Sequence, residues 1–166
     1  MVFKTAKKKP KALIFDIDGV VCDSSERFKR IDLEAFKNKD KNAFIKSLKE
    51  YNKDCVGDII IDKGLDLLYM LESNYKPYRV FFVTARGSYG YDPTLDWLKD
   101  ENIWDDNYEL IMQPEDFDDW EFTTQKDHAE FKKNVAKEKL FPAIHFFDIM
   151  VHHQHYPICI FRSRWR

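Results

Sequence analysis

Lys11–Asp23, reading KALIFDIDGVVCD, is the stretch on which the fold of this chain turns. Ala12, Leu13, Ile14 and Phe15 form a short apolar run of the kind a buried strand requires. The run stops at Asp16, and Ile17, Asp18 and Gly19 follow at once. Two carboxylates two residues apart, at the carboxyl end of a strand, repel one another and each loses hydration. A bound cation, or a reaction that uses two acids in different protonation states, would account for them. Gly19 allows the chain to turn sharply away. The plain alternative is a strand that ends in a polar loop, because D-x-D by itself is a common sequence.

Outward from this stretch, 166 residues suit one domain with a sizeable core. The 27 basic and 29 acidic residues leave a net charge of -2, which gives no general attraction to nucleic acid or anionic membrane. Lys4, Lys7, Lys8, Lys9 and Lys11 at one end, and Arg162, Arg164 and Arg166 around Trp165 at the other, read as solvated tails, with phosphate contact as the alternative. Cys22, Cys55 and Cys159 are odd in number and form no CxxC, against a disulfide framework or structural zinc. No apolar stretch approaches the ~18 residues of a membrane span. The basic start lacks the apolar segment of a secretory signal, so a cytoplasmic protein is expected.

Along the chain, a first strand is expected over 12–15. Ser24 and Ser25 are candidate caps for a helix from about Glu26. Two short amphipathic helices over 28–55 are separated by a polar break at 38–42. A linker over 57–61 and a helix over 62–72 follow. A second strand is expected over 79–83, RVFFV, ending in a polar loop from Thr84 to Ser88. A helix from Pro93, a strand over 108–112, an acidic aromatic loop over 114–124 and a helix over 125–140 come next. Further strands are expected over 144–147 and 158–161. Strands alternating with helices predict a parallel sheet, with ligands bound beyond the carboxyl ends of the strands. Asp16, Thr84 and Asp148 each directly follow such an end.

Four apolar residues, DxDG, then Val20 and Val21 resemble the first motif of the haloacid dehalogenase (HAD) superfamily of phosphohydrolases. FFVTARGS, 81–88, resembles its second motif, with Ala85 in place of the usual glycine. Thr94, Trp97 and Leu98 extend the match toward nucleotidase and polynucleotide phosphatase branches. CDSSERF, 22–28, is similar to the D-x-x-H-R of the small phage-type members, with Glu26 in place of histidine. The resemblance implies an α/β, Rossmann-like three-layer sandwich with a central parallel sheet. It also implies a small helical cap inserted at about 24–61. It makes Asp16 the nucleophile that forms an aspartyl-phosphate, and Asp18 the acid and base. Thr84 would donate to a phosphoryl oxygen, and Arg86 would meet a substrate phosphate or base. Lys132, preceded by Phe131 and followed by Val135, is the motif cation, with Lys133 the alternative.

Mg2+ would be held by Asp16, the Asp18 backbone carbonyl and Asp148. The second acid that usually follows at the fourth motif is missing: Ile149, Met150 and Val151 come next, then His152 and His153. His152, His153 and His155 read as a solvated loop, with a role as ligands or substrate contacts as the alternative. The implied activity is a Mg2+-dependent phosphomonoesterase acting on a nucleotide or a nucleic-acid terminal phosphate. An open site of this kind is often covered by a second subunit, which leaves room for a homodimer. The other reading, from the missing acid, is a HAD-fold protein of weakened catalysis that works by binding. No P-loop pattern occurs, so no kinase half is expected.

Overall fold

The apolar run after Lys11 forms strand β1 (Ala12–Phe15) in the computed structural model, which describes residues 12–75, 79–114, 125–140, 149–150 and 159–160. Its side chains alternate between two buried clusters. Leu13 and Phe15 join Leu68, Val80, Phe82 and Leu110, whereas Ile14 joins Phe81, Val83 and Ala136. Both faces of the strand are covered, which is why the run is apolar at every position rather than at every second one.

Beyond β1 the chain makes one tight turn. The N–H groups of Val20, Val21 and Cys22 all donate to the Ile17 carbonyl, at 3.2, 3.0 and 3.0 Å. Gly19 sits at φ +79°, the left-handed region that a glycine enters without penalty. Strand β2 (Cys22–Asp23) follows, then helices α1 (Ser25–Phe28), α2 (Leu33–Lys37) and α3 (Lys41–Asn52). Asp32 and Asp40 cap α2 and α3 by accepting from Ala35 N–H at 2.8 Å and Ala43 N–H at 3.1 Å. Lys39, at φ +57°, makes the break between them. The serines expected to cap α1 do not do so. Asp23 Oδ1 takes the Ser25 N–H at 2.9 Å instead.

Strand β3 (Ile59–Ile60) occupies what reads in sequence as a linker, and pairs antiparallel with β2. Helix α4 (Asp62–Tyr75), strand β4 (Arg79–Gly87), a short 3-10 turn, helix α5 (Tyr91–Asp100) and strand β5 (Tyr108–Gln113) come next. Helix α6 (Gln125–Leu140) and the two-residue strands β6 (Ile149–Met150) and β7 (Cys159–Ile160) complete the described elements.

β1, β4 and β5 form a parallel sheet with β4 in the middle. Leu68 and Leu71 of α4, with Trp97 and Leu98 of α5, join the cluster on the Phe15 side of the sheet. Phe131, Val135 and Ala136 of α6 join the cluster on the Ile14 side. The result is a mixed α/β arrangement with helices against both faces.

Two expectations are corrected. β4 does not end at Val83 but runs on to Gly87, with an irregular register between Thr84 and Gly87 against β5. Thr84 and Arg86 are thus strand residues, not members of a polar loop. Their polar groups are satisfied inside the protein. Cys159–Ile160 is a strand as expected, but it pairs antiparallel with Ile149–Met150, apart from the three-stranded parallel sheet. The expected strand over 144–147, Asp148, the three histidines at 152, 153 and 155, and the acidic loop over 115–124 lie outside the described residues. No described helix is long and apolar enough to cross a membrane.

Candidate active site

Asp16 stands one residue beyond β1, at the carboxyl end of the parallel sheet. Its Oδ1 accepts the Ile17 N–H at 2.9 Å, and its Oδ2 meets the Lys132 ammonium. Lys132 reaches it from α6, one turn before Ala136, whose side chain is buried against the sheet. The two side chains are 11% and 15% exposed, so the pair is open to solvent on one side only. Burial pushes the Asp16 carboxyl up, Lys132 pulls it down, and Asp18 pushes it up again; the net value is about 6. Lys133, the neighbour, lies on the surface and pairs with Glu130 at 3.0 Å.

Asp18 is held quite differently. Arg86 grips it with both edges of its fork, Nε to Oδ2 and Nη2 to Oδ1, each at 2.8 Å. The Thr84 hydroxyl donates to Oδ2 at 3.3 Å and accepts the Arg86 N–H at 3.1 Å. Arg27 Nη2 stands 3.8 Å from Oδ1. Burial alone would raise this carboxyl, but Arg86 outweighs it and holds the group down at about 2.

The arginines are themselves anchored. Asp58, fully buried, accepts from Arg27 Nε at 2.8 Å, and from Arg27 Nη2 and Arg86 Nη2 at 2.9 Å each. Arg27 also donates to the Tyr51 carbonyl at 2.8 Å and lies 4.1 Å from the centre of that ring. Arg86 Nη1 donates to Thr94 Oγ1 at 3.2 Å. The sulfurs of Cys55 and Cys22 lie against the same guanidinium at 3.3 and 3.2 Å. Burial raises both thiols above their ordinary value, so they sit there neutral. Two arginines and two aspartates thus balance one another, next to the separate Asp16–Lys132 pair.

Asp16, Asp18, Thr84, Arg86 and Lys132, singled out in the sequence, do converge here. Two of them are engaged inside the protein rather than presented to solvent. Arg86 is 3% exposed and turned inward onto Asp18 and Asp58, not toward the solvent side where a substrate phosphate would arrive. Thr84 is fully buried and its hydroxyl is directed to Asp18. Arg27 and Asp58 were not among the candidate residues. Arg27 stands within the DSSER similarity, so a signal for it exists; Asp58 carries none. At the end of β5, Gln113 Oε1 lies 2.6 Å from His128 Nδ1, one turn before Lys132 on α6.

No family model, curated protein or solved structure matches the chain. The chemistry of the site is therefore read from its own residues. Among the described residues no three acidic, histidine or cysteine side chains cluster in a way that would hold a metal ion. The hard oxygens of Asp16 and of the Asp18 carbonyl nevertheless fit Mg2+ in kind. Asp16 also remains above its ordinary value beside Lys132, so one ammonium does not fully offset its burial, and further positive charge would be accommodated.

Proposed function

We propose that the protein is a phosphomonoesterase of the HAD type, on a Rossmann-like sandwich with the helical segment 24–61 as a small cap. The observation that carries the reading is the contrast between two aspartates in one turn. Asp16 is paired with a single lysine, whereas Asp18, the more exposed of the two at 29% against 11%, is clamped by an arginine fork. The two carboxyls stand in different surroundings, Asp16 pushed up by burial and Asp18 pulled down by Arg86, so it is the ionised form of Asp16, favoured by Lys132, that would serve as nucleophile.

In this reading the Asp16 carboxylate attacks phosphorus, the ester P–O bond breaks, and the leaving oxygen takes a proton from Asp18, which must first have bound one. Water then attacks the aspartyl-phosphate, Asp18 takes a proton from that water, the bond from Asp16 to phosphorus breaks, and inorganic phosphate is released. Lys132 offsets the charge of Asp16 and of the phosphoryl group as they approach. Arg86 favours the ionised form of Asp18, which is the form that would accept the proton in the second step. The service of Asp18 as an acid toward the leaving oxygen requires one of its oxygens to come free of Arg86. Asp16, the Asp18 carbonyl and Asp148 would hold Mg2+, which when bound lowers the repulsion between a carboxylate nucleophile and an anionic ester. A nucleotide or nucleic-acid terminal phosphate as substrate rests on the TAR and TxxWL similarities alone.

The test is phosphate release from p-nitrophenyl phosphate, nucleotides and 3′-phosphorylated oligonucleotides, with Mg2+, with EDTA, and with Asp16→Asn. Release that needs the metal and disappears in the variant is expected; release that persists in the variant overturns the assignment. A second reading, a binding protein of weakened catalysis, is favoured by the arginine and threonine donors that already engage both Asp18 oxygens. It predicts no turnover on any of these substrates.

A further inference from the structure

Asp58 lies in the turn before β3, after Gly57 at φ +90°, and its side chain is wholly buried. It holds Arg27 by Nε and Nη2 and Arg86 by Nη2, at 2.8 to 2.9 Å. Arg86 offers Nε and the same Nη2 to Asp18, and Arg27 Nη2 stands near the same Asp18 oxygen that Arg86 Nη2 holds. Asp58 therefore holds both guanidinium groups, of which Arg86 grips Asp18 and Arg27 stands beside it at 3.8 Å. The four residues come from α1, the turn before β3, the end of β4 and the turn after β1. A buried ion cluster of this sort adds little net stability over well-packed apolar residues. Its orientation of the donors, by contrast, is specific.

We infer that Asp58 is a positioning residue for Asp18: by anchoring Arg27 and Arg86 it fixes the Asp18 carboxylate where it takes the proton of the water that hydrolyses the aspartyl-phosphate. The inference rests on the phosphatase reading. Without Asp58 both guanidinium groups lose their shared carboxylate anchor, Arg27 is drawn toward Asp18, and the carboxylate shifts. A displacement of about 1 Å in such a group costs about a hundredfold in rate.

The test is rapid mixing of Asp58→Asn with p-nitrophenyl phosphate and Mg2+. p-Nitrophenolate is a good leaving group that departs in the first step, so it reports phosphoryl transfer to Asp16 without help from Asp18. The expected result is a burst of about one p-nitrophenolate per folded enzyme. A steady rate about a hundredfold below that of the wild type should follow. A merely structural role lowers burst and steady rate together, and a parallel loss overturns the inference; so does an unchanged steady rate. If Asp58→Asn does not fold, Arg27→Gln with Asp58→Asn removes one buried charge of each sign. That double variant must turn over more slowly after its burst than Arg27→Gln alone, and equality overturns the inference. Absence of turnover in the wild type, or turnover that survives Asp16→Asn, removes the phosphatase reading and the positioning role with it.

Discussion

Asparagine at Asp58 would leave the shape of the side chain intact and strip its charge. Two arginine side chains, each 1% exposed, would then share the single carboxylate of Asp18. One of the two Asp58 oxygens, which accept three charge-assisted hydrogen bonds, would become an amide donor facing a guanidinium donor. Breaking a buried pair by removing one partner costs about 3–5 kcal/mol, because the remaining charge is stranded out of water. At about 3 °C per kcal/mol for a chain of this size, a loss of about 4 kcal/mol lowers Tm by about 12 °C. Urea denaturation of wild type and variant, with the slope held in common, measures the loss directly. Glu26→Gln is the control. Its pair with Lys29 is 64% and 69% exposed, and its removal should cost no more than about 0.5 kcal/mol. A loss below about 1 kcal/mol for Asp58→Asn would show that the arginines find water or other partners. It would refute the description of a closed ion cluster.

Three further outcomes are expected. Lys132→Ala should lower kcat/KM about a hundredfold or more, whereas Lys133→Ala, whose side chain pairs with Glu130 on the surface, should leave it unchanged; the reverse result would move the motif cation by one residue. Gly64→Ala, ordinarily favourable in a helix, should destabilise by about 1–3 kcal/mol in urea denaturation, because the new methyl would overlap the Val20 carbonyl at the turn after β1. Asp18 is held below its ordinary value, so its share of stability is full above about pH 4 and is lost as pH falls toward its folded value. Urea midpoints should therefore drop less between pH 5 and pH 3, to about those values, in Asp18→Asn than in the wild type.

The parts of this structure that are legible in the sequence are those where apolar residues run together or repeat with a period. α6 spans the 125–140 that its sequence suggests, and β1, α5 and β5 fall within a few residues of their expected ranges. Phe131 and Val135, the residues that singled out Lys132 over Lys133, face the sheet beside Ala136, and Lys132 reaches Asp16. What stayed hidden was polar and long-range. β4 reads as ending at Val83 because Thr84 and Arg86 are hydrophilic. It continues because Asp18 and Asp58, 68 and 28 residues away in sequence, take up the Arg86 guanidinium. Asp58 looks like a linker residue after a glycine, and nothing local distinguishes a buried carboxylate from a solvated one. The β2–β3 pair escaped for a related reason: two residues on each side are too few to show alternation.

The account stands on Asp16 as a nucleophile. The most direct test mixes the protein with p-nitrophenyl phosphate and Mg2+, quenches in acid during the expected burst, and locates the phosphoryl group by mass spectrometry of peptides. A phosphoryl group on Asp16, lost in Asp16→Asn together with the burst, is the predicted result. Steady turnover with no covalent phosphoenzyme, or with the phosphoryl group on another residue, would contradict it.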